Sequence, residues 1–171
     1  AVATAQETVT PVMGGSGEDV PVTADAPQAA QVLVLGDAIG GGLGAGLMRL
    51  GEASGRFDVT IRFNAESGLA RPEVYDWAAT VPKILESYHY DIVVVMIGAN
   101  DRQMIRSGNE RFGFGSQGWI ASYRNQVDLL LDALSQSGAR VYWVGLPPMA
   151  NAAYDEAIKA VNALQRERVE A

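Results

Sequence analysis

Val32-Leu33-Val34-Leu35-Gly36-Asp37-Ala38-Ile39-Gly40-Gly41-Gly42 is the stretch on which the fold turns. Four apolar residues in a row suit a strand buried on both faces, because a half-exposed strand alternates apolar with polar. The glycine-rich run after it reads as a turn, and an amphipathic pattern follows over residues 43–53. The same succession recurs three times. Residues 59–63 precede a helical pattern at 73–85, which carries Pro82 as a candidate kink; residues 92–97 precede one at 119–135; and residues 141–144 precede one from Ala152 to about Val169. In the third helix Val127, Leu130, Leu131 and Leu134 fall at i, i+3, i+4 and i+7, and Gly138 supplies the stop. Strand then helix, four times over, predicts an α/β fold: a three-layer α/β/α sandwich on a parallel sheet, with the strands ordered 2-1-3-4.

The whole chain of 171 residues is 48% hydrophobic and 19% charged, with a net charge of −7 and no cysteine. That length buries a continuous core without disulfides. One histidine and no cysteine argue against a zinc or iron–sulfur site, so no metal and no cofactor is expected. Thirteen basic against twenty acidic residues argue against nucleic acid as a partner. No apolar run approaches the roughly 20 residues that cross a bilayer, so no membrane span is expected. Residues 1–30 are rich in Ala, Val, Thr, Pro and Gly and hold no aromatic side chain, which reads as a flexible linker or N-terminal extension ahead of a domain at 31–171. The chain starts with Ala, not Met, as a processed or cut form would; a removed secretory signal fits both features and predicts a periplasmic or secreted protein.

In open parallel sheets the ligand crevice lies beyond the carboxyl ends of the strands, so the residues just after each run carry the functional information. Here they are Gly36-Asp37-Ala38, then Asn64-Ala65-Glu66-Ser67-Gly68, then Gly98-Ala99-Asn100-Asp101, then Gly145-Leu146-Pro147-Pro148. Singly, each has a plain structural reading: Gly after a strand makes a turn, and Asn or Asp caps the next helix. Jointly, three strands each deliver a potential oxyanion donor to one rim, an arrangement suited to acyl transfer. One alternative is a dinucleotide site, since Gly36-x-Ala38-x-x-Gly41 nearly fits that fingerprint. Against it, Ala38 stands where the second glycine should be, Asp37 puts negative charge beside the phosphates, and Glu66 is the sole acid placed for a ribose.

The Gly36-Asp37-x-Ile39 block, Ser67-Gly68, and Gly98-x-Asn100-Asp101, each following a strand, resemble the first three sequence blocks of the SGNH (GDSL-like) hydrolases. Residues 93–103 and 141–149 are similar to a bacterial envelope-associated branch of that family. The resemblance covers about residues 31–149 and implies a flavodoxin-like fold and a serine ester hydrolase, with an acetyl ester of an envelope glycan as one substrate class. Carried onto these positions, it implies that Ala38 occupies the nucleophile position. The N–H of Ala38, the N–H of Gly68 and the Asn100 amide would then form the oxyanion hole, with Asp37 and Asp101 in supporting roles. Two departures stand out. Ala38 has no oxygen to attack an ester, and the family's last block, an Asp three residues before a catalytic His, has no counterpart before Ala171. A C-terminal segment with a fifth strand is thus expected to be missing, which would leave residues 141–144 as an open sheet edge.

Three expectations follow. The chain is an SGNH-type ester or acyl hydrolase that is inactive as written, or a pseudoenzyme that binds an acylated glycan or small acyl ester in the same pocket; Ala38 as an introduced change and Ala38 as a natural residue both remain open. The single histidine, His89, precedes the third strand and so lies at the end of the sheet opposite the rim, out of reach of a nucleophile there. Residues 106–116, long and glycine-rich with two Phe, are either a lid over the rim or a surface excursion with Phe tucked inward.

Overall fold

The computed structural model describes residues 28–171; most of the expected linker lies outside them. The main sheet contains β1 (Ala30–Gly36), β2 (Phe57–Phe63), β3 (Ile92–Met96) and β6 (Arg140–Trp143). All pairings are parallel and the order is β2-β1-β3-β6, as the alternation of strands and helices predicts. The helices are α1 (Ala38–Ser54), α2 (Trp77–Ser87), α3 (Gln117–Ser135) and α4 (Ala152–Val169). Leu33, Leu35, Val93 and Val95 point into the larger core with Trp77, Val81, Trp119, Tyr123, Val127 and Leu130, from α2 and α3, and Ile158 and Val161 from α4. Val32, Val34 and Val94 face the other way, against Leu43 and Leu47 of α1. Alternate residues of one strand thus feed two cores, the physical reason that these strands read as unbroken apolar runs.

The structure corrects three local readings. First, α1 starts at Ala38, not Leu43, so the triple glycine is helical rather than a turn. Its reason is contact: a Cβ on Gly40 would lie 2.4 Å from Met96 O, and Cβ atoms on Gly41 and Gly44 would meet Phe63 and Ile61. Glycine is weak in helices by about 1 kcal/mol, and here that cost admits the helix backbone onto the sheet. Second, α2 starts at Trp77, where Asp76 caps it by accepting from Ala79 N at 2.9 Å. Third, residues 106–116 are not one loop. They hold most of an antiparallel hairpin, β4 (Ile105–Ser107) with β5 (Glu110–Phe112), and their phenyl rings pack inward, Phe112 over Gly118 and Phe114 edge-on to Trp119 at 4.7 Å.

Among the described residues β6 is a sheet edge, and Tyr142 on it is 47% exposed. A groove of about 640 Å³ runs along that edge between Trp143, Gly145, Asn162 and Gln165. No helix of the described residues is long and apolar enough to cross a membrane.

Candidate functional site

The register sets the rim. Gly36 pairs with Phe63 on one side and Met96 on the other, so β2, β1 and β3 end level and their following loops start together. Three polar side chains then tie those loops to one another.

Asp37, the residue between β1 and α1, is 0% exposed. Its Oδ1 caps α1 by accepting from Ile39 N at 2.9 Å and Gly40 N at 3.4 Å. Its Oδ2 accepts from Gly98 N at 2.9 Å and Ala99 N at 2.8 Å, which fastens the third loop to the first. An internal carboxyl group therefore stands at the helix N-terminus where a dinucleotide fold holds pyrophosphate, and the dinucleotide alternative is left without an anion site.

Asn100 and Asp101 tie the third loop to the second. Asn100 Nδ2 donates to Ser67 O at 2.8 Å and to Ala65 O at 3.0 Å. Asp101, 1% exposed, accepts from Leu69 N at 3.0 Å, Ala70 N at 2.9 Å and the Tyr123 hydroxyl at 2.7 Å. Burial pushes the Asp101 carboxyl above its ordinary value; the N–H groups of Ala70 and Leu69 and the Tyr123 hydroxyl pull it back, and the neighbouring Asp37 adds a small push upward. Gly68 is buried against this carboxyl, and a Cβ there would sit 2.1 Å from Asp101 Oδ1. Gly98 is fixed by φ of +125° and by α4, since a Cβ would meet Val161 and Gln165 at 2.9 Å.

Ala38 and Gly68 thus stand beside residues that stitch the loops, and Asn100 is one of those residues. Ala38 is exposed, Asn100 half-buried and Gly68 buried. Ala38 N is in the first turn of α1, where N–H groups have no intrahelical partner. Neither it nor Gly68 N meets an acceptor among the described residues. Both Asn100 donors, by contrast, already point at loop carbonyls, and the Ala65 carbonyl is the more solvent-exposed of the two partners. The site is an open rim: the groove beside β6 includes none of these three residues. His89 is 81% exposed, 3.6 Å from Asp91 at the amino end of β3. No cluster of three metal-ligating side chains occurs among the described residues.

Sequence reasoning missed the support behind the rim. Gln165 Nε2 donates to the Tyr123 hydroxyl at 2.9 Å and to Ile97 O at 2.8 Å, and Trp143 Nε1 donates to Gln165 Oε1 at 3.0 Å. Trp77 Nε1 donates to Ser67 Oγ at 3.0 Å, and Ser67 Oγ donates to Asn64 O at 2.7 Å. Burial, with Asp101 beside it, pushes the Tyr123 hydroxyl well above its ordinary value. The signal available was a polar residue inside an apolar stripe: Tyr123 at four before Val127, and Gln165 at four after Val161.

Residues 31–171 match a family described as "Protein of unknown function (DUF459)". The chain belongs to the DUF459 family. This family is associated with SGNH-like hydrolases. Among solved structures, the DUF459 chain is similar to a crystal structure of an acetyl xylan esterase. The TM-score is 0.55 and the identity 15%, over 82% of this chain and 72% of that one. At that identity the likeness shows the fold, an α/β sandwich with a parallel sheet flanked by helices. No curated protein sequence matches the chain.

Proposed function

We propose that this DUF459 chain carries the acyl-ester site of an SGNH-type hydrolase, with Ala38 in the nucleophile position, and that it binds the acyl group of a small ester or acylated glycan without cleaving it. The observation that carries the reading is the stitching of three strand-end loops by Asp37, Asn100 and Asp101, with the N–H groups of Ala38 and Gly68 left for an outside acceptor. Such donors, fixed before a ligand arrives, are what an acyl carbonyl or a developing oxyanion needs. The Asn100 amide joins them by exchanging its bond to Ala65 O for one to the ligand. Asp37 and Asp101 act through the backbone they hold. The acetyl group of an envelope glycan, met in the periplasm or outside the cell, is the substrate class this reading favours, in keeping with a family associated with SGNH-like hydrolases and a fold shared with an acetyl xylan esterase.

Hydrolysis needs a nucleophile and a base within hydrogen-bond reach of each other, and His89 at the far end of the sheet serves neither position. Ala38→Ser alone is expected to leave p-nitrophenyl acetate hydrolysis at background. Activity well above that of an Ala38→Ser/Asn100→Ala control would overturn the inactive reading. The companion reading, a hydrolase whose nucleophile was replaced, is favoured by the intact N-cap of Asp37 on α1, and serine at codon 38 of the source gene together with a downstream Asp and His decides for it.

A further inference from the structure

We propose that Arg102 is an anion-recognition element of this rim and selects acylated saccharides that also carry a carboxylate. The inference rests on the acyl-site reading and adds a substrate class to it. Arg102 lies two residues after Asn100, and its backbone is clamped on both sides. Asp101 before it is held by three buried hydrogen bonds, and the Gln103 carbonyl after it accepts from Trp119 Nε1 at 2.7 Å. The exposed guanidinium lies over the ring of Tyr154, 5.5 Å from its centroid. That ring is itself fixed, because the Tyr154 hydroxyl donates to Ala99 O while Ala99 N donates to Asp37 Oδ2. A short path of contacts therefore runs from Arg102 through Tyr154, Ala99 and Asp37 to Ala38.

The charge on this arginine is uncommitted. None of the six ion pairs among the described residues includes Arg102. The nearby Asp37 carboxyl is already met by four backbone N–H groups and has nothing left to offer. A ring-stacked guanidinium keeps its planar fork free for a carboxylate and loses little side-chain freedom on binding one. On a chain of net charge −7 such a cation supplies local attraction for an anion at the rim. A neutral acetylated sugar would use the N–H groups of Ala38 and Gly68; an acidic one would use those and Arg102 together.

The test is an NMR titration of the amide-labelled chain with two probes that differ only at C6: an acetylated methyl glucuronoside and the corresponding acetylated methyl glucoside. In low salt the glucuronoside is expected to bind about ten-fold more tightly, the order found for charge-assisted contacts, with shifts at Ala38, Gly68 and Arg102. Arg102→Gln should bring its affinity down to that of the glucoside and leave the glucoside unchanged. Arg102→Lys should restore part of the preference, and 0.5 M salt should shrink it. Equal affinities for the two probes, or a preference that survives Arg102→Gln, would overturn the Arg102 assignment while leaving the acyl site standing. Failure of both probes to move Ala38 and Gly68 would instead overturn the acyl site, and the Arg102 assignment with it.

Discussion

Replacing Asp37 by Asn changes one atom and tests the architecture of the rim. Each carboxyl oxygen accepts from two backbone N–H groups, Oδ1 from α1 and Oδ2 from the third loop. An asparagine can present only one oxygen, so its amide NH2 must face two N–H donors that then have no acceptor. Hydrogen bonds to a charged group contribute about 1.5–3 kcal/mol each. Losing two, one of them the long 3.4 Å bond or both of the short ones, costs about 3–6 kcal/mol by that measure. The matching control is Asp76→Asn, where the cap of α2 is exposed and accepts from Ala79 N alone. Asn and Asp cap helices about equally, so that variant should be near neutral. Urea unfolding followed by tryptophan fluorescence measures both, and for a domain of this size the Asp37 loss corresponds to a fall in Tm of about 10 °C. A change under about 1 kcal/mol for Asp37→Asn, or equal changes in the two variants, would refute the claim that this residue fastens the loops.

Three other perturbations separate the roles assigned above. Gly42→Ala meets nothing within 4 Å and should stabilise α1 by about 0.5–1 kcal/mol, whereas Gly40→Ala drives a methyl group onto Met96 O and should destabilise; chemical unfolding reads the opposite signs. Because burial raises the Asp101 carboxyl, the folded chain takes up that proton at a higher pH than the unfolded chain. Stability from this group therefore rises as pH falls through the raised value, and the gap between the native chain and Asp101→Asn should widen on acidification from pH 7 toward 4; a gap that narrows contradicts the burial argument. Tyr123→Phe keeps the ring but strips Asp101 and Gln165 of one partner each, for a loss of about 1–3 kcal/mol at unchanged m-value.

The strand order and the layer count were legible because the central strands, buried on both faces, leave unbroken apolar runs that alternate with helical patterns along the chain. Helix starts were less legible. The glycines at 40–42 signal a turn by propensity, whereas they open α1, and two of the three are pressed against distant residues, Gly40 against the carbonyl of Met96 more than fifty residues away and Gly41 against Phe63. The same holds for residues 106–116, where the two Phe rings anchor a hairpin on α3 that no local pattern announces. At the site, the positions of Asp37, Gly68, Asn100 and Asp101 follow from where the strands end. Their partners do not, because a hydrogen bond between residues 32 or 61 apart leaves no periodic trace in a sequence.

What the rim can offer a ligand follows from what it has already spent. Asp37 and Asp101 are buried and turned onto backbone and tyrosine donors, so neither faces an incoming nucleophile. Ser67 has its hydroxyl between Asn64 O and the Trp77 indole, so it is not free to act as a nucleophile at the rim. Gly68 cannot gain a side chain without displacing Asp101, and Gly98 cannot without displacing α4. Among the polar groups left at the rim are the unpaired N–H groups of Ala38 and Gly68, one proton of Asn100 that the Ala65 carbonyl can release, and the exposed guanidinium of Arg102. These four are donors, and Glu66 adds an exposed carboxylate in the second loop. On the proposed acyl-site reading these donors hold a carbonyl oxygen or a carboxylate, and cutting the ester would need a hydroxyl at position 38 with a base beside it.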